Sequence, residues 1–300
     1  MKKLKLLDTF SGIGGFSYAA EKLVGGFETT QFIEIEPYCQ KVLKKHWPNV
    51  PIHDDITTYT AKPHSADVIC GGFPCQSISQ AGEREGITET SKSGMWFELI
   101  RTIRMVRPKF FILENVSALI NNGLDIVLRD IYEAGYDAEW CCIPSSFVGA
   151  CHQRDRWWLV GFPSDPNNNG SPRTKKSRSI KKTNGGTEKR KNQTCQSQGG
   201  SESKNTEAIQ LNVTNPDSDR LQGKIGSRLH RATWRTQDIR RINPSWRQYE
   251  SQPCLCRGDD GLSNRVDRLK ALGNAVVPQV AAIPLQRVKD IHKQLTSVDR

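Results

Sequence analysis

Leu4-Lys5-Leu6-Leu7-Asp8-Thr9-Phe10-Ser11-Gly12-Ile13-Gly14-Gly15-Phe16 opens with an apolar run, passes through a glycine-rich turn and enters a helical pattern reaching Leu23. Strand, tight turn, helix is the unit that brings backbone N–H groups and a helix N-terminus close to a ligand. Glycine permits the turn and the close approach. A second apolar run, 29–33, ends at Glu34, 20 residues beyond Gly14. That is close to the spacing at which a carboxylate meets ribose hydroxyls in such units. Taken alone, the glycine turn is equally compatible with a ligand-free connection.

Working outward, strand and helix patterns alternate. Residues 37–47 read as a helix and His53-Asp54-Asp55-Ile56-Thr57 as a strand end with its loop. Asp67-Val68-Ile69-Cys70 is a short buried strand, ended by Gly71, Gly72 and Pro74. Residues 95–106 read as a helix stopped by Pro108, and 109–113 as a strand ending in Glu114-Asn115-Val116. A further helix is expected over 120–134, and strands over 137–144 and 157–162. Pro278 opens a last helix running toward Leu295. Alternation of this kind predicts an α/β fold, a parallel-leaning sheet with helices on both faces.

Four residues in this frame invite chemistry. Cys75 follows a strand on a tight turn, where it is either a small buried hydrophobe or a nucleophile. Glu114 ends a buried strand, where desolvation would raise its pKa. Arg154 and Arg156 open the 157–162 strand with alternate parity, which would put both side chains on one face. Residues 77–93 are polar and too long for a simple connection, as lids often are.

Composition bounds the partners. The chain of 300 residues carries a net charge of +11 with a pI near 9.3, which favours a polyanion such as nucleic acid. Between Arg173 and Lys191 nine Lys and Arg residues face Glu188 alone. Farther on, Trp234, Ile239, Ile242 and Trp246 are interleaved with basic residues, a pattern suited to backbone contact plus packing. Nine cysteines without a regular framework read as reduced thiols in a cytoplasmic protein. Cys254 and Cys256 have no second pair, so no metal site is expected. The charged start at Lys2 and Lys3 is followed by an apolar run that Asp8 cuts too short for export, and no run approaches the ~18 residues of a membrane span.

Together the motifs resemble the DNA (cytosine-5)-methyltransferase family. Asp8-Thr9-Phe10-Ser11-Gly12-Ile13-Gly14-Gly15, Gly72-Phe73-Pro74-Cys75-Gln76, Glu114-Asn115-Val116, Gln153-Arg154-Asp155-Arg156 and Gly273-Asn274-Ala275-Val276-Val277-Pro278 stand in that family's order. The resemblance implies a Rossmann-like, S-adenosylmethionine-dependent methyltransferase fold with a small inserted target-recognition domain. It divides the chain into 1–162 for catalysis and cofactor, a variable basic recognition region at 163–263, and 264–300 returning to the catalytic part.

The resemblance also implies roles. Cys75 adds to C6 of a flipped-out cytosine, Glu114 serves N3, and Arg154 and Arg156 line the base pocket with Arg156 toward O2. Phe10, Ser11, Gly12, Gly14, Gly15 and Pro74 lie along the cofactor S-adenosylmethionine. Glu34 holds its ribose, Ile35 covers its adenine, Asp55 and Ile56 hold the adenine edge, and Asn274 completes the pocket. Ile35 stands where many members carry an aromatic residue. The expected partner is double-stranded DNA, met by a monomer, with a restriction endonuclease acting on the same site as a second partner. A tRNA cytosine-5 methyltransferase of the same family and a catalytically silent nucleic-acid-binding relative are the alternatives.

Overall fold

A computed structural model describes residues 2–74, 94–164, 229–231 and 265–298. Cys75, residues 77–93, the basic cluster and Cys254 with Cys256 lie outside the described residues. So does all of the proposed recognition region except 163–164 and 229–231.

One mixed sheet organises these residues, in the order β3-β2-β1-β4-β5-β7-β6-β8. Its strands are β1 (Leu4–Thr9), β2 (Phe27–Ile33), β3 (Ile52–His53), β4 (Val68–Gly72), β5 (Phe110–Val116), β6 (Tyr136–Pro144), β7 (Asp155–Pro163) and β8 (Leu229–Arg231). β3 through β5 in that order are parallel, while β7 runs antiparallel to both β5 and β6. The three residues of β8 pair with β6 and so extend the main sheet.

The parallel half reads as continuous apolar runs because both of its faces are covered. On β5, Phe111 and Leu113 enter the core beneath α3 (Met95–Val106) and α4 (Leu124–Glu133). Phe110 and Ile112 enter the core on the other face, with α1 (Gly15–Tyr18) and the last helix. Such alternation is the two-residue period of a strand. The helix α2 (Pro37–His46) follows β2, and α5 (Arg265–Asn274) leads into the last helix, α6 (Pro278–Val298).

Two elements depart from expectation. The helix expected from residue 120 begins at Leu124, because Gly123 has φ +129° and the preceding residues 117–120 form a separate 3-10 turn. The helix after the glycine turn widens to π geometry over Ala19–Val24 and ends where Gly25 takes φ +70°. Trp96 anchors the start of α3: it is fully buried, lies with its ring 5.4 Å from that of Phe73 at a 51° tilt, and donates Nε1–H to Asp130 Oδ2 at 2.8 Å.

Candidate functional site

The C-terminal ends of the parallel strands build the site, as expected for such sheets. β1 runs into a turn whose backbone is set by Phe10 at φ +50°, Gly12 at +54° and Gly14 at +84°. The turn is tied to the end of β2. Ser11 Oγ donates to Asp8 O at 2.6 Å, Ser11 N to Ile33 O at 3.2 Å, and Gly12 N to Glu34 Oε2 at 2.6 Å. Glu34 also accepts from Glu36 N at 2.8 Å. Burial pushes the Glu34 carboxyl above its ordinary pKa, and these backbone donors pull against the rise. Each oxygen keeps a second lone pair to offer a hydroxyl.

Other cofactor candidates surround this turn. Ile35 is 65% exposed, an apolar surface open to a planar ring. Asp55 accepts Thr57 N at 2.9 Å, which lowers its pKa. Ile56 is a core residue, and Arg101 Nη2 donates to its carbonyl at 2.6 Å. Gly14 and Gly15 cannot carry a side chain: a Cβ would lie 2.6 Å from a Trp47 ring carbon and from Val276 Cγ2 respectively. A cavity of about 600 Å³ beside them is lined by Trp47, Arg154, Val276 and Gln279 among others.

Asp8, just before the turn, is fully buried. Its Oδ2 accepts from Ser17 N at 3.2 Å and Ser17 Oγ at 2.6 Å, while Oδ1 has no hydrogen-bond partner among the described residues. Desolvation lifts its pKa from 3.8 to about 7 against the two Ser17 bonds. Folded Asp8 therefore keeps its proton across a window in which the unfolded chain has lost it. Its contribution to stability is present below pH 3.8 and falls away as pH rises through about 7. Melting temperatures across pH 4–8 should decline for the native chain, and the decline should be shallower in Asp8→Asn. An unchanged slope in that variant would refute the assignment.

The second cluster joins β4, β5 and β7. Gly72 is the register partner of Glu114, and Val116 that of Arg156. Arg156 Nε lies 3.1 Å from Glu114 Oε1, with the Glu114 side chain only 13% exposed. Burial raises the Glu114 pKa to about 6, opposed by the charges of Arg156 and Arg154 and by the Arg156 hydrogen bond. The expected desolvation is thus present. Asn115 donates Nδ2–H to Phe73 O at 3.1 Å and accepts Val116 N at 2.8 Å. It thereby pins the turn through Phe73 and Pro74 that leads to Cys75.

Gly72 and Asn115 are contributors that a reading by residue chemistry passes over. A Cβ on Gly72 would stand 3.0 Å from Glu114 Oε2, so this glycine leaves room for the carboxyl. Gly72→Ala should lower kcat by roughly 10- to 100-fold through displacement of that group. Steady-state kinetics at native-like melting temperature would check this; a native kcat would refute it.

Arg154 does not share a strand face with Arg156. It precedes β7 with φ +27°, outside strand geometry, so alternation of parity does not apply. Its guanidinium donates to Gly273 O at 2.8 Å and Ala275 O at 2.9 Å, on either side of Asn274.

With this geometry in view, the comparison with known proteins is decisive at the level of family. The chain belongs to the C-5 cytosine-specific DNA methylase family, whose description matches residues 4–253. Type II methyltransferase M.CviJI of Paramecium bursaria Chlorella virus IL3A is 34% identical over 164 residues, 54% of this chain and 44% of that protein. Type II methyltransferase M.MspI of Moraxella sp is 32% identical over 162 residues, 53% and 38% of the two chains. The orphan methyltransferase M.SPRI of Bacillus phage SPR is 32% identical over 172 residues, 55% and 39%. The chain thus matches less than half the length of these curated relatives. Among solved structures, S. pombe Dnmt2 methyltransferase aligns with TM-score 0.46 at 20% identity, covering 54% of this chain and 51% of that one.

The fold is therefore the Rossmann-like methyltransferase fold, and S-adenosylmethionine is its cofactor. The residues present fit that molecule: a Cβ on Gly12 would meet nothing within 4 Å among the described residues, leaving an open cradle beside buried Glu34 and exposed Ile35. None of the described helices is long and apolar enough to cross a membrane.

Proposed function

We propose that the chain transfers a methyl group to C5 of cytosine within a specific sequence of duplex DNA. One observation carries this reading: a largely buried acid, Glu114, is paired with Arg156 beside the segment that leads to Cys75. S-adenosylmethionine, when bound, would supply an electrophilic methyl group from its sulfonium and leave as the neutral thioether. Phe10, Ser11, Gly12, Gly14, Gly15, Pro74 and Asn274 would hold its methionine end, Glu34 its ribose, and Ile35, Asp55 and Ile56 its adenine.

C5 of cytosine is too poor a nucleophile to take a methyl group unaided. The Cys75 thiolate forms a bond to C6, and the C5=C6 electron pair shifts through C4 to N3. The Glu114 carboxyl gives N3 its proton, as a desolvated acid can. Arg156 holds Glu114 and the O2 side of the ring. The resulting enamine takes methyl at C5. Glu114 recovers the N3 proton, the C5 proton leaves to solvent, and expulsion of the Cys75 thiolate restores the ring. The base must leave the duplex for these groups to reach it.

Residues 163–263 are proposed as the sequence-reading region, between a catalytic part at 1–162 and a returning segment at 264–300. The basic cluster should contact phosphates: its neutralisation should flatten the slope of log K against log salt by about 0.9 per lost contact. Binding titrations at several salt concentrations check this, and an unchanged slope would make the cluster a bystander.

The reading as a whole is tested by incubating the chain with methyl-labelled S-adenosylmethionine and either unmethylated duplex DNA or tRNA. Label at cytosine C5 of DNA, confined to one sequence context, is the expected result. Label in tRNA alone would favour the RNA enzyme, and no transfer to either would favour a silent DNA-binding relative.

A further inference from the structure

Arg154 is held in a costly conformation for a reason visible in its partners. A non-glycine residue at φ +27° persists only where the surroundings require it. Here the requirement is reach. The guanidinium spans 119 and 121 positions of sequence to donate to Gly273 O at 2.8 Å and Ala275 O at 2.9 Å. Those carbonyls flank Asn274, at the junction of α5 and α6. Two positions on, Val276 presses against the glycine turn, where a Gly15 Cβ would meet its Cγ2 at 2.6 Å and its carbonyl oxygen at 3.1 Å. The junction is thus gripped between the residue leading β7 and the turn after β1. The charge on Arg154 is also felt by Glu114.

We propose that Arg154 is a positioning residue: it holds the 273–275 segment so that Asn274 is set for the methyl donor, and it links the donor site to the Glu114 end of β5. The proposal rests on the chain being an S-adenosylmethionine-dependent methyltransferase. It moves Arg154 from the wall of the base pocket to the cofactor side. Two charge-assisted hydrogen bonds from one planar fork suit a role in holding backbone; a lysine ammonium keeps the charge but lacks the fork.

Calorimetric titration of S-adenosylmethionine into the full chain, with kcat and KM measured across pH, tests this. Arg154→Met should weaken donor binding by about tenfold or more. KM for the donor should rise more than kcat falls. The groups acting on Glu114 are Arg156 on β7 and Arg154 ahead of it, while β4 presents uncharged Gly72. Removing the Arg154 charge should therefore move the Glu114 limb of the pH profile upward. Arg154→Lys should restore that limb and still bind the donor weakly. Arg156→Met should shift the limb and leave donor binding at the native level.

Native donor affinity in Arg154→Met overturns the proposal. Should that variant fail to fold, native donor affinity in Arg154→Lys overturns it equally. A native chain that neither binds the donor nor methylates would sink the underlying reading, and this proposal with it.

Discussion

Replacing Cys75 by serine should abolish methylation, lowering the rate by at least about a thousandfold, while S-adenosylmethionine binding stays native. The change removes one atom's worth of chemistry and little shape. A serine hydroxyl remains protonated near neutral pH, whereas a thiol is a strong nucleophile once ionised. The glycine turn at 10–15 follows β1 and is tied to the end of β2 through Glu34, so it does not depend on the Cys75 side chain. Cys70 provides a control within the same strand end. It is fully buried, and burial, with Asp8 nearby, raises its thiol well above the ordinary value, so it cannot substitute as thiolate. Cys151, exposed before β7, is a second control. Cys70→Ser and Cys151→Ser should methylate, and residual activity near native in Cys75→Ser would exclude it as nucleophile.

The second large effect concerns Glu114. Glu114→Gln should lower kcat by roughly 10²- to 10⁴-fold, the usual weight of a positioned acid. The amide keeps a donor for N3 but has no proton to give. Because Glu114 holds its proton up to about pH 6, its acid form is depleted as pH rises beyond that value. The profile of kcat/KM should accordingly carry a descending limb above about pH 6, which Glu114→Gln removes. Arg156→Met takes away the nearest charge that lowers this pKa, so its limb should move to higher pH. A profile of native shape in Glu114→Gln would contradict the role of acid.

Much of this architecture was legible in the residues because local signals agreed. The pattern over 95–106 with Pro108 as its stop predicted α3, and the helix spans Met95–Val106. The apolar run 110–113 is buried on both faces, so it could only be a central strand, and Glu114 had to emerge at its end. What escaped was non-local. Strand parity misplaced Arg154 because its backbone leaves strand geometry to reach two carbonyls more than a hundred residues away. The need for glycine at 72 comes from Glu114, a register partner on another strand. Nor could composition reveal that β7 lies between β5 and β6 and reverses the direction of the sheet there.

The covalent step itself is the central claim, and duplex DNA carrying 5-fluorocytosine at the methylated position tests it most directly. Fluorine at C5 cannot leave as a proton does, so elimination stalls once the methyl group has been transferred. The native chain with S-adenosylmethionine should yield a denaturation-resistant adduct whose DNA-bearing peptide contains Cys75, and Cys75→Ser should yield none. Trapping at another residue, or efficient methylation of ordinary DNA with no adduct on the fluorinated duplex, would contradict the account.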